Sequence, residues 1–138
     1  MQITPYLNFA GQCREAFEFY RDVLGGTITG ILTYGESPVA DEIPPESHDG
    51  VMHAQLIAGD AVLMGADGPP AGDGPMRNMS VALIVDEAAE AERIFAALAE
   101  GGQTTMPMEQ TFWAERFGMC IDRFGTPWIV NGHMTDGQ

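Results

Sequence analysis

The sequence Tyr6-Leu-Asn-Phe9, followed by a helical stretch that ends at Gly25-Gly26, decides the fold because the same arrangement occurs twice. The second copy begins 76 residues later, where Ala82-Leu-Ile-Val85 precedes a helical stretch that ends at Gly101-Gly102. In each copy, further β-type segments follow the double glycine. Two copies of one supersecondary unit usually bury shared apolar surface, so we expect the functional site at the seam between them.

Hydrophobic periodicity predicts the same order of elements in both halves. In the first half it predicts a strand, a helix, a strand, a long loop and a hairpin, at residues 3–9, 11–24, 27–34, 35–50, and 51–58 with 61–66. In the second half it predicts a strand, a helix capped by Asp86 and three strands, at residues 79–85, 87–100, 103–108, 114–122 and 128–131. The sequence therefore predicts an α+β fold with two tandem βαβββ modules, whose curled mixed sheets surround a cavity.

We interpret residues 1–138 as a single domain. It consists of module one at about 1–67, a linker at about 67–77, module two at about 78–132 and a flexible tail at 133–138. The sequence Gly59-Asp-Ala-Val-Leu-Met64 resembles Gly125-Thr-Pro-Trp-Ile-Val130, which lies 66 residues further on. The first copy therefore has about ten extra residues, and loop 35–50 accounts for them and is a candidate lid.

Composition excludes several classes of partner and chemistry. The net charge is −14, with six arginines and no lysine, which disfavours nucleic acid and membrane surfaces and excludes a lysine Schiff base. The first five residues lack the basic segment of a signal peptide, so we expect a cytoplasmic protein. Cys13 and Cys120 are far apart in sequence and are expected to be buried, reduced thiols.

Five motifs, spread over nearly the whole chain, resemble the vicinal oxygen chelate superfamily of glyoxalases, dioxygenases and bleomycin-resistance proteins, and most closely its PhnB-like branch. They are Thr4-Pro-Tyr-Leu-Asn-Phe9, Glu15-Ala-Phe-Glu-Phe-Tyr20 with Gly25-Gly26, Val51-Met-His-Ala-Gln-Leu56, Thr111-Phe-Trp-Ala-Glu-Arg-Phe-Gly118 and Asp122-Arg-Phe-Gly-Thr-Pro-Trp128. The resemblance implies a cavity on the concave face of the sheets, with the helices outside. In metal-dependent members, His and Glu residues from the first and last strands of each module hold a divalent ion.

The resemblance also allows the metal site to be tested position by position. The corresponding residues fall at about Thr4, Met64, Ser80 and Ile129, and neither they nor their immediate neighbours are histidines or carboxylates. Divalent cations require several nitrogen or oxygen donors at close range. We therefore expect no metal site and no cofactor. The PhnB-like branch is often labelled methyltransferase-like, but no glycine-rich adenosylmethionine loop follows a strand here.

Two polar residues of the third predicted strand are candidate site residues. His53 and Gln55 alternate with the apolar Ala54 and Leu56, so they should face the cavity while the apolar residues pack beneath a helix. Because histidine as a class changes charge near neutral pH, His53 is a candidate general base or ligand contact. The alternative is a structural histidine that is hydrogen-bonded inside the fold.

Aromatic residues complete the predicted site. We expect Tyr6, Trp113, Phe117 and Trp128 to bind ligand together with His53 and Gln55, unless these rings form core or a dimer interface. Glu115 shares the predicted face of Trp113 and Phe117 and is a second candidate catalytic residue, although an exposed or ion-paired Glu is the alternative. Arg116, on the opposite face, either binds an anionic ligand or pairs with an acid.

The preferred function is a small-molecule-binding protein of the glyoxalase/bleomycin-resistance type, without the superfamily metal site, that binds an apolar or aromatic ligand. The alternative is a lyase, isomerase or dioxygenase-type enzyme that acts at the same cavity, with His53 and Glu115 as acid and base. A third reading is an interaction module whose cavity is filled by side chains. We also expect a homodimer, because a partner copy covers sheet edges and apolar faces.

Overall fold

The computed structural model describes residues 1–68 and 76–135, and the chain divides into two units, Met1–Gly74 and Pro75–Gln138. The first unit contains β1 (Tyr6–Phe9), α1 (Cys13–Leu24), β2 (Thr27–Thr33), β3 (Val51–Ala58) and β4 (Ala61–Asp67). The second unit contains β5 (Val81–Val85), α2 (Ala88–Ala99), β6 (Gln103–Glu109), β7 (Ala114–Ile121) and β8 (Pro127–Met134).

Each unit has one four-stranded mixed sheet. The strand order is β1-β4-β3-β2 in the first sheet and β5-β8-β7-β6 in the second. In both sheets the first strand of the unit pairs in parallel with the last, and the other neighbours are antiparallel. The predicted α+β fold of two tandem βαβββ modules is therefore confirmed, and neither sheet closes into a barrel.

One helix packs against one face of each sheet, as the apolar spacing of the helices predicts. The buried residues of α1 recur every three or four positions, and those of α2 are Ala91, Ile94, Phe95 and Leu98. Helix α1 ends where Gly25 adopts a φ of 73° and its N–H donates to the carbonyl of Arg21. The N-cap of α2 is Glu87 rather than the predicted Asp86, and its side chain makes no capping hydrogen bond.

Glycines allow each helix to approach its sheet closely. A Cβ at Gly65 of β4 would lie 2.7 Å from the Phe17 ring of α1, and a Cβ at Gly132 of β8 would lie 2.5 Å from the Cβ of Ala91 in α2. Carbon atoms in packed interiors do not approach this closely without displacement, so neither position tolerates a side chain. At these two positions the helix and the sheet are too close together for another molecule to lie between them.

A buried aspartate holds the edge of the first unit together. Asp67 ends β4, and its carboxylate accepts hydrogen bonds from the main-chain N–H groups of Gly11, Cys13 and Val51 at 2.8, 3.0 and 2.9 Å. Charge-assisted bonds of this kind are stronger than neutral ones. Asp67 thereby connects the start of α1 and the start of β3 to the end of β4.

The structure differs from the prediction in the loop after β2 and at the end of β8. The loop from β2 to β3 contains two short 3₁₀ helices, Ala40–Glu42 and Pro45–Ser47, and Tyr34 at its start donates its hydroxyl to the carbonyl of Asp67. Strand β8 extends to Met134, so the predicted flexible tail is wrong for residues 133 and 134. Residues 136–138 of the predicted tail and residues 69–75 of the predicted linker lie outside the described residues.

Both cysteines are buried free thiols, as predicted. Burial raises the pKa of Cys13 to about 12 and that of Cys120 to about 11, with the nearby Asp67 and Asp122 contributing respectively. Both thiols are therefore neutral at physiological pH, which excludes them as thiolate nucleophiles. Within residues 1–68 and 76–135, no helix is long and apolar enough to cross a membrane.

Replacing Gly132 with alanine is expected to reduce the free energy of unfolding by about 1–3 kcal/mol, because the added methyl group overpacks the contact with Ala91. Chemical denaturation measures this loss. In the double variant Gly132→Ala, Ala91→Gly the loss should be smaller than the sum of the two single losses, since the clashing atom is gone. Gly30→Ala is the control, because nothing lies within 4 Å of its added Cβ. Equal losses for Gly30→Ala and Gly132→Ala would contradict the close packing.

Candidate functional site

The side of each sheet that faces away from its helix, here called the helix-free face, holds most of the predicted site residues. In β1, Leu7 and Phe9 are buried on the helix side, where Phe9 contacts the ring of Phe17, so Tyr6 and Asn8 lie on the helix-free face. In β3, Ala54 pairs with the helix-facing Gly65. The alternation of side chains along β3 therefore places His53 and Gln55 on the helix-free face with Tyr6.

Tyr6 and His53 form a pair on the first sheet although they are 47 residues apart in sequence. The Tyr6 hydroxyl lies 3.5 Å from Nδ1 of His53, a long hydrogen bond, and the ring centroids are 6.0 Å apart. Gln55 lies in the same cross-strand row as Tyr6, because Met64 pairs with both residues. The structure thus brings together the three predicted site residues of the first unit.

The protonation state of Tyr6 follows from its surroundings. Partial burial raises the pKa of the Tyr6 phenol, and the nearby Cys13 and Tyr34 raise it further. The hydroxyl is therefore protonated at neutral pH, and it can donate a hydrogen bond to His53 or to a bound molecule. Tyr6, which is 45% exposed, remains accessible from solvent.

The second sheet carries an aromatic cluster on its helix-free face. Trp113 packs edge-to-face against Phe112 and Phe117, with centroid distances of 4.8 and 5.1 Å. The Trp113 indole N–H donates to Oδ1 of Asn131 at 3.2 Å, and Asn131 pairs with Phe117 across β7 and β8. Phe112 is 81% exposed, so the cluster presents an open aromatic surface whose central ring has a fixed orientation. Trp113 and Phe117 are accordingly placed on one surface, as predicted.

The charged neighbours of this cluster have different environments. Glu115 shares the face of Phe117 by alternation, but it is exposed, so it lacks the apolar surroundings that the base hypothesis required. Arg116 lies on the helix side, where it forms an ion pair with Glu92 of α2 and donates to the carbonyl of Met108. The ion-paired alternative for Arg116 is therefore the one found.

Trp128 does not join the other predicted site residues. It pairs with Cys120 on the helix side of the second sheet and is completely buried, and its indole N–H donates to Oδ2 of Asp122 at 2.8 Å. The resemblance of residues 59–64 to residues 125–130 aligns Met64 with Val130, whereas the positions implied for the metal site align it with Ile129. The pairing of Tyr6 with Met64 and of Ala82 with Ile129 agrees with the second alignment. A shift of one residue moves a side chain to the opposite face of a strand.

A cleft in the second unit contains residues that sequence reasoning did not select. This methionine cleft has a volume of about 600 Å³ and is lined by residues 76–80, Thr105, and residues 119–121 and 127–129. None of Met76, Arg77, Met79 and Met119 is among the predicted site residues. Asn131 was also missed, and only its polar character within an apolar strand signalled it.

The positions implied for a divalent ion do not carry suitable donors. Met64 and Ile129 lie on the helix-free faces, paired with Tyr6 and Ala82, and their side chains are a thioether and a hydrocarbon. Thr4 and Ser80 precede β1 and β5. In the part of the chain that the structure describes, no group of three or more His, Cys, Asp or Glu side chains is arranged to hold a metal ion.

Sequence and structural comparisons extend over nearly the whole chain. Protein YjdN of Escherichia coli (strain K12) is 32% identical over 140 residues, which is 95% of either chain. The crystal structure of protein PA1353 from Pseudomonas aeruginosa has a TM-score of 0.88 at 48% identity, over 96% of this chain and 98% of that one. The putative 3-demethylubiquinone-9 3-methyltransferase, PhnB protein, from Bacillus cereus has a TM-score of 0.78 at 26% identity, over 96% and 99%.

The similarity to a PhnB protein confirms the resemblance that the sequence motifs predicted. A sequence profile of the Glyoxalase/Bleomycin resistance protein/Dioxygenase superfamily matches residues 2–130, which include all the described strands of the first unit and most of those of the second. The chain therefore belongs to the glyoxalase/bleomycin resistance protein/dioxygenase superfamily.

Proposed function

We propose that this protein binds a small apolar or aromatic molecule on the helix-free faces of its sheets. The observation that carries the proposal is the aromatic cluster of the second unit, where Phe112 is 81% exposed beside the oriented ring of Trp113. Aromatic rings with one fixed polar contact are typical of small-molecule sites. Asn131 supplies that contact at the Trp113 indole.

Large apolar side chains elsewhere on these faces support the same function. Ile84 of β5 is 64% exposed, and Tyr6 of β1 and Met106 of β6 are also exposed. Their position opposite the helices leaves these exposed side chains accessible to a ligand.

A screen of uncharged aromatic compounds by thermal unfolding tests the proposal. Compounds that bind the folded chain should raise the melting temperature. At a concentration one hundred times Kd, binding stabilises the folded state by about 2.7 kcal/mol. In the variant Trp113→Leu the affinity for the best compounds should fall about tenfold, because the ring that stacks against the ligand is lost. Titration calorimetry measures the affinity.

Phe19→Leu is the matched control, since it removes an aromatic ring from α1 rather than from a helix-free face. It should leave the affinity within a factor of about two, the small change expected for a site remote from the ligand. Equal losses in the Trp113 and Phe19 variants, or the absence of any stabilising compound, would count against a site at the aromatic cluster.

We also propose that binding requires no metal ion. Support comes from the thioether and hydrocarbon side chains at Met64 and Ile129, the positions at which metal-dependent members carry ligands. Elemental analysis of protein purified without chelators should find far less than one divalent ion per chain. Treatment with EDTA should leave both the melting temperature and the ligand-induced shift unchanged. A stoichiometric ion whose removal abolishes binding would overturn this proposal.

The Tyr6–His53 pair favours a second candidate function, which is a lyase or isomerase that acts by proton transfer. A protonated phenol beside an imidazole provides a proton donor and acceptor on one accessible surface. Glu115, exposed on the second sheet, is a weaker candidate for the same chemistry. A dioxygenase reaction gains no comparable support from the described residues.

His53→Asn distinguishes this candidate from binding alone. If His53 transfers a proton, turnover of a compound found in the screen, followed by NMR in D2O, should fall by about 10² to 10⁴ while binding changes little. His133→Asn is the control, because His133 is exposed at a φ of 55°, a conformation that asparagine tolerates. Unchanged turnover in His53→Asn would assign His53 a structural role.

The remaining predictions about partners and location stand as proposals. We propose a homodimer, because β2 and β6 leave an unpaired edge in each sheet that a partner copy can cover. We propose no nucleic-acid or membrane-surface partner, because the acidic charge disfavours both. A cytoplasmic location agrees with the two free thiols.

A further inference from the structure

We propose that the methionine cleft binds a small amphipathic carboxylate, with its apolar body on the sheet and its carboxylate at Arg77. The inference rests on the proposed function, because it assigns a ligand class to the helix-free face of the second sheet. It goes further by naming a site, a charge and a recognising residue that the aromatic cluster does not supply.

The floor of the cleft is apolar and formed by alternating strand positions. Met119 and Ile121 of β7 and Ile129 of β8 line it, and Met119 pairs directly with Ile129. Met76 and Met79, from the segment that precedes β5, add two thioether side chains. Unbranched thioethers adapt to ligands of different shape. The volume of about 600 Å³ lies within the usual range for small-molecule sites.

Arg77 gives this apolar surface a single positive charge. Among the described residues that line the cleft, Arg77 is the only charged one, and the thiol of Cys120 is neutral. Arg77 forms no ion pair with any residue between 1 and 68 or between 76 and 135, whereas Arg93 and Arg116 pair with Glu90 and Glu92. A guanidinium binds a carboxylate through two parallel hydrogen bonds, so an anionic head group matches it best.

Polar groups beside Arg77 extend the recognition of a head group. The hydroxyls of Ser80 and Thr105 also line the cleft and can donate to carboxylate oxygens. The rest of the lining offers no acidic side chain in the described residues, so nothing there repels an anion. The polar rim and the apolar floor together fit a molecule with one charged end.

Because the chain is strongly acidic, tighter binding of an anionic compound than of a neutral one would indicate a specific contact in the cleft. A net charge of −14 disfavours anions in general, so nonspecific electrostatics would rank a cationic compound above a neutral one and an anionic one last. At physiological salt this long-range effect is screened beyond about 8 Å, while direct contact with Arg77 is not. A preference for the anion must therefore originate at a local group of the cleft, and Arg77 is the only cation in its described lining.

Titration calorimetry of the full chain with three compounds of one carbon skeleton tests the inference. The compounds are 4-phenylbutanoate, 4-phenylbutan-1-ol and 4-phenylbutylammonium, at neutral pH and physiological salt. The carboxylate should bind about tenfold more tightly than the alcohol, as one charge-assisted contact predicts. Arg77→Gln should remove this difference while leaving the affinity for the alcohol unchanged.

Two variants make the outcome specific. Arg14→Gln removes another exposed positive charge, from α1, and should preserve the preference for the carboxylate. Met119→Gln, nearly isosteric but polar, should weaken the carboxylate and the alcohol alike. Equal affinities for the two compounds, or a preference that survives Arg77→Gln, would overturn the inference and leave the proposed function standing. If neither compound binds the wild-type chain while uncharged aromatics stabilise it through Trp113, the cleft is not the site. If nothing binds, both proposals fail.

Discussion

The close packing of a helix against one face of each sheet determines which side chains of that sheet are buried. Gly65 and Gly132 leave no room for a Cβ beneath Phe17 and Ala91. The helix covers this side of each sheet. Because side chains alternate along a strand, the residues of opposite parity lie on the helix-free face. The proposed site lies on that face.

This constraint explains which parts of the site were predictable. Within one strand, alternation between polar and apolar residues is a local property, so the faces of His53, Gln55 and Phe117 could be assigned from the sequence. The face of the sheet on which Trp128 lies could be predicted only by aligning β8 with β4, and that alignment depends on the length of the turn before each strand. The turn before β4 has two residues, whereas the turn before β8 runs from 122 to 126 and is held by the Asp122 carboxylate, which accepts from the N–H groups of Phe124 and Thr126. Periodicity carries no information about such a turn.

Contacts between distant segments could not be predicted from the sequence either. The Tyr6–His53 pair depends on the parallel pairing of β1 with β4, which places residues 47 positions apart on one surface. The role of Asp67 depends on three main-chain N–H groups, whose direction no side-chain pattern reveals. The order of strands and helices was predictable because amphipathic spacing is strong in α1 and α2. Which strands pair, and which main-chain N–H groups reach Asp67, depend on how the whole unit is assembled.

Two arginines of the second unit form ion pairs, whereas Arg77 lines the methionine cleft. With six arginines against twenty acidic residues, most cations are expected to find an acid, and Arg93 and Arg116 do so on or against α2. An ion pair at the surface contributes little free energy but neutralises the arginine as a binding group. Arg77 lies instead among the lining residues of the methionine cleft, and no other described residue of that lining carries a charge. Its surroundings, more than its charge, make it a candidate for ligand recognition.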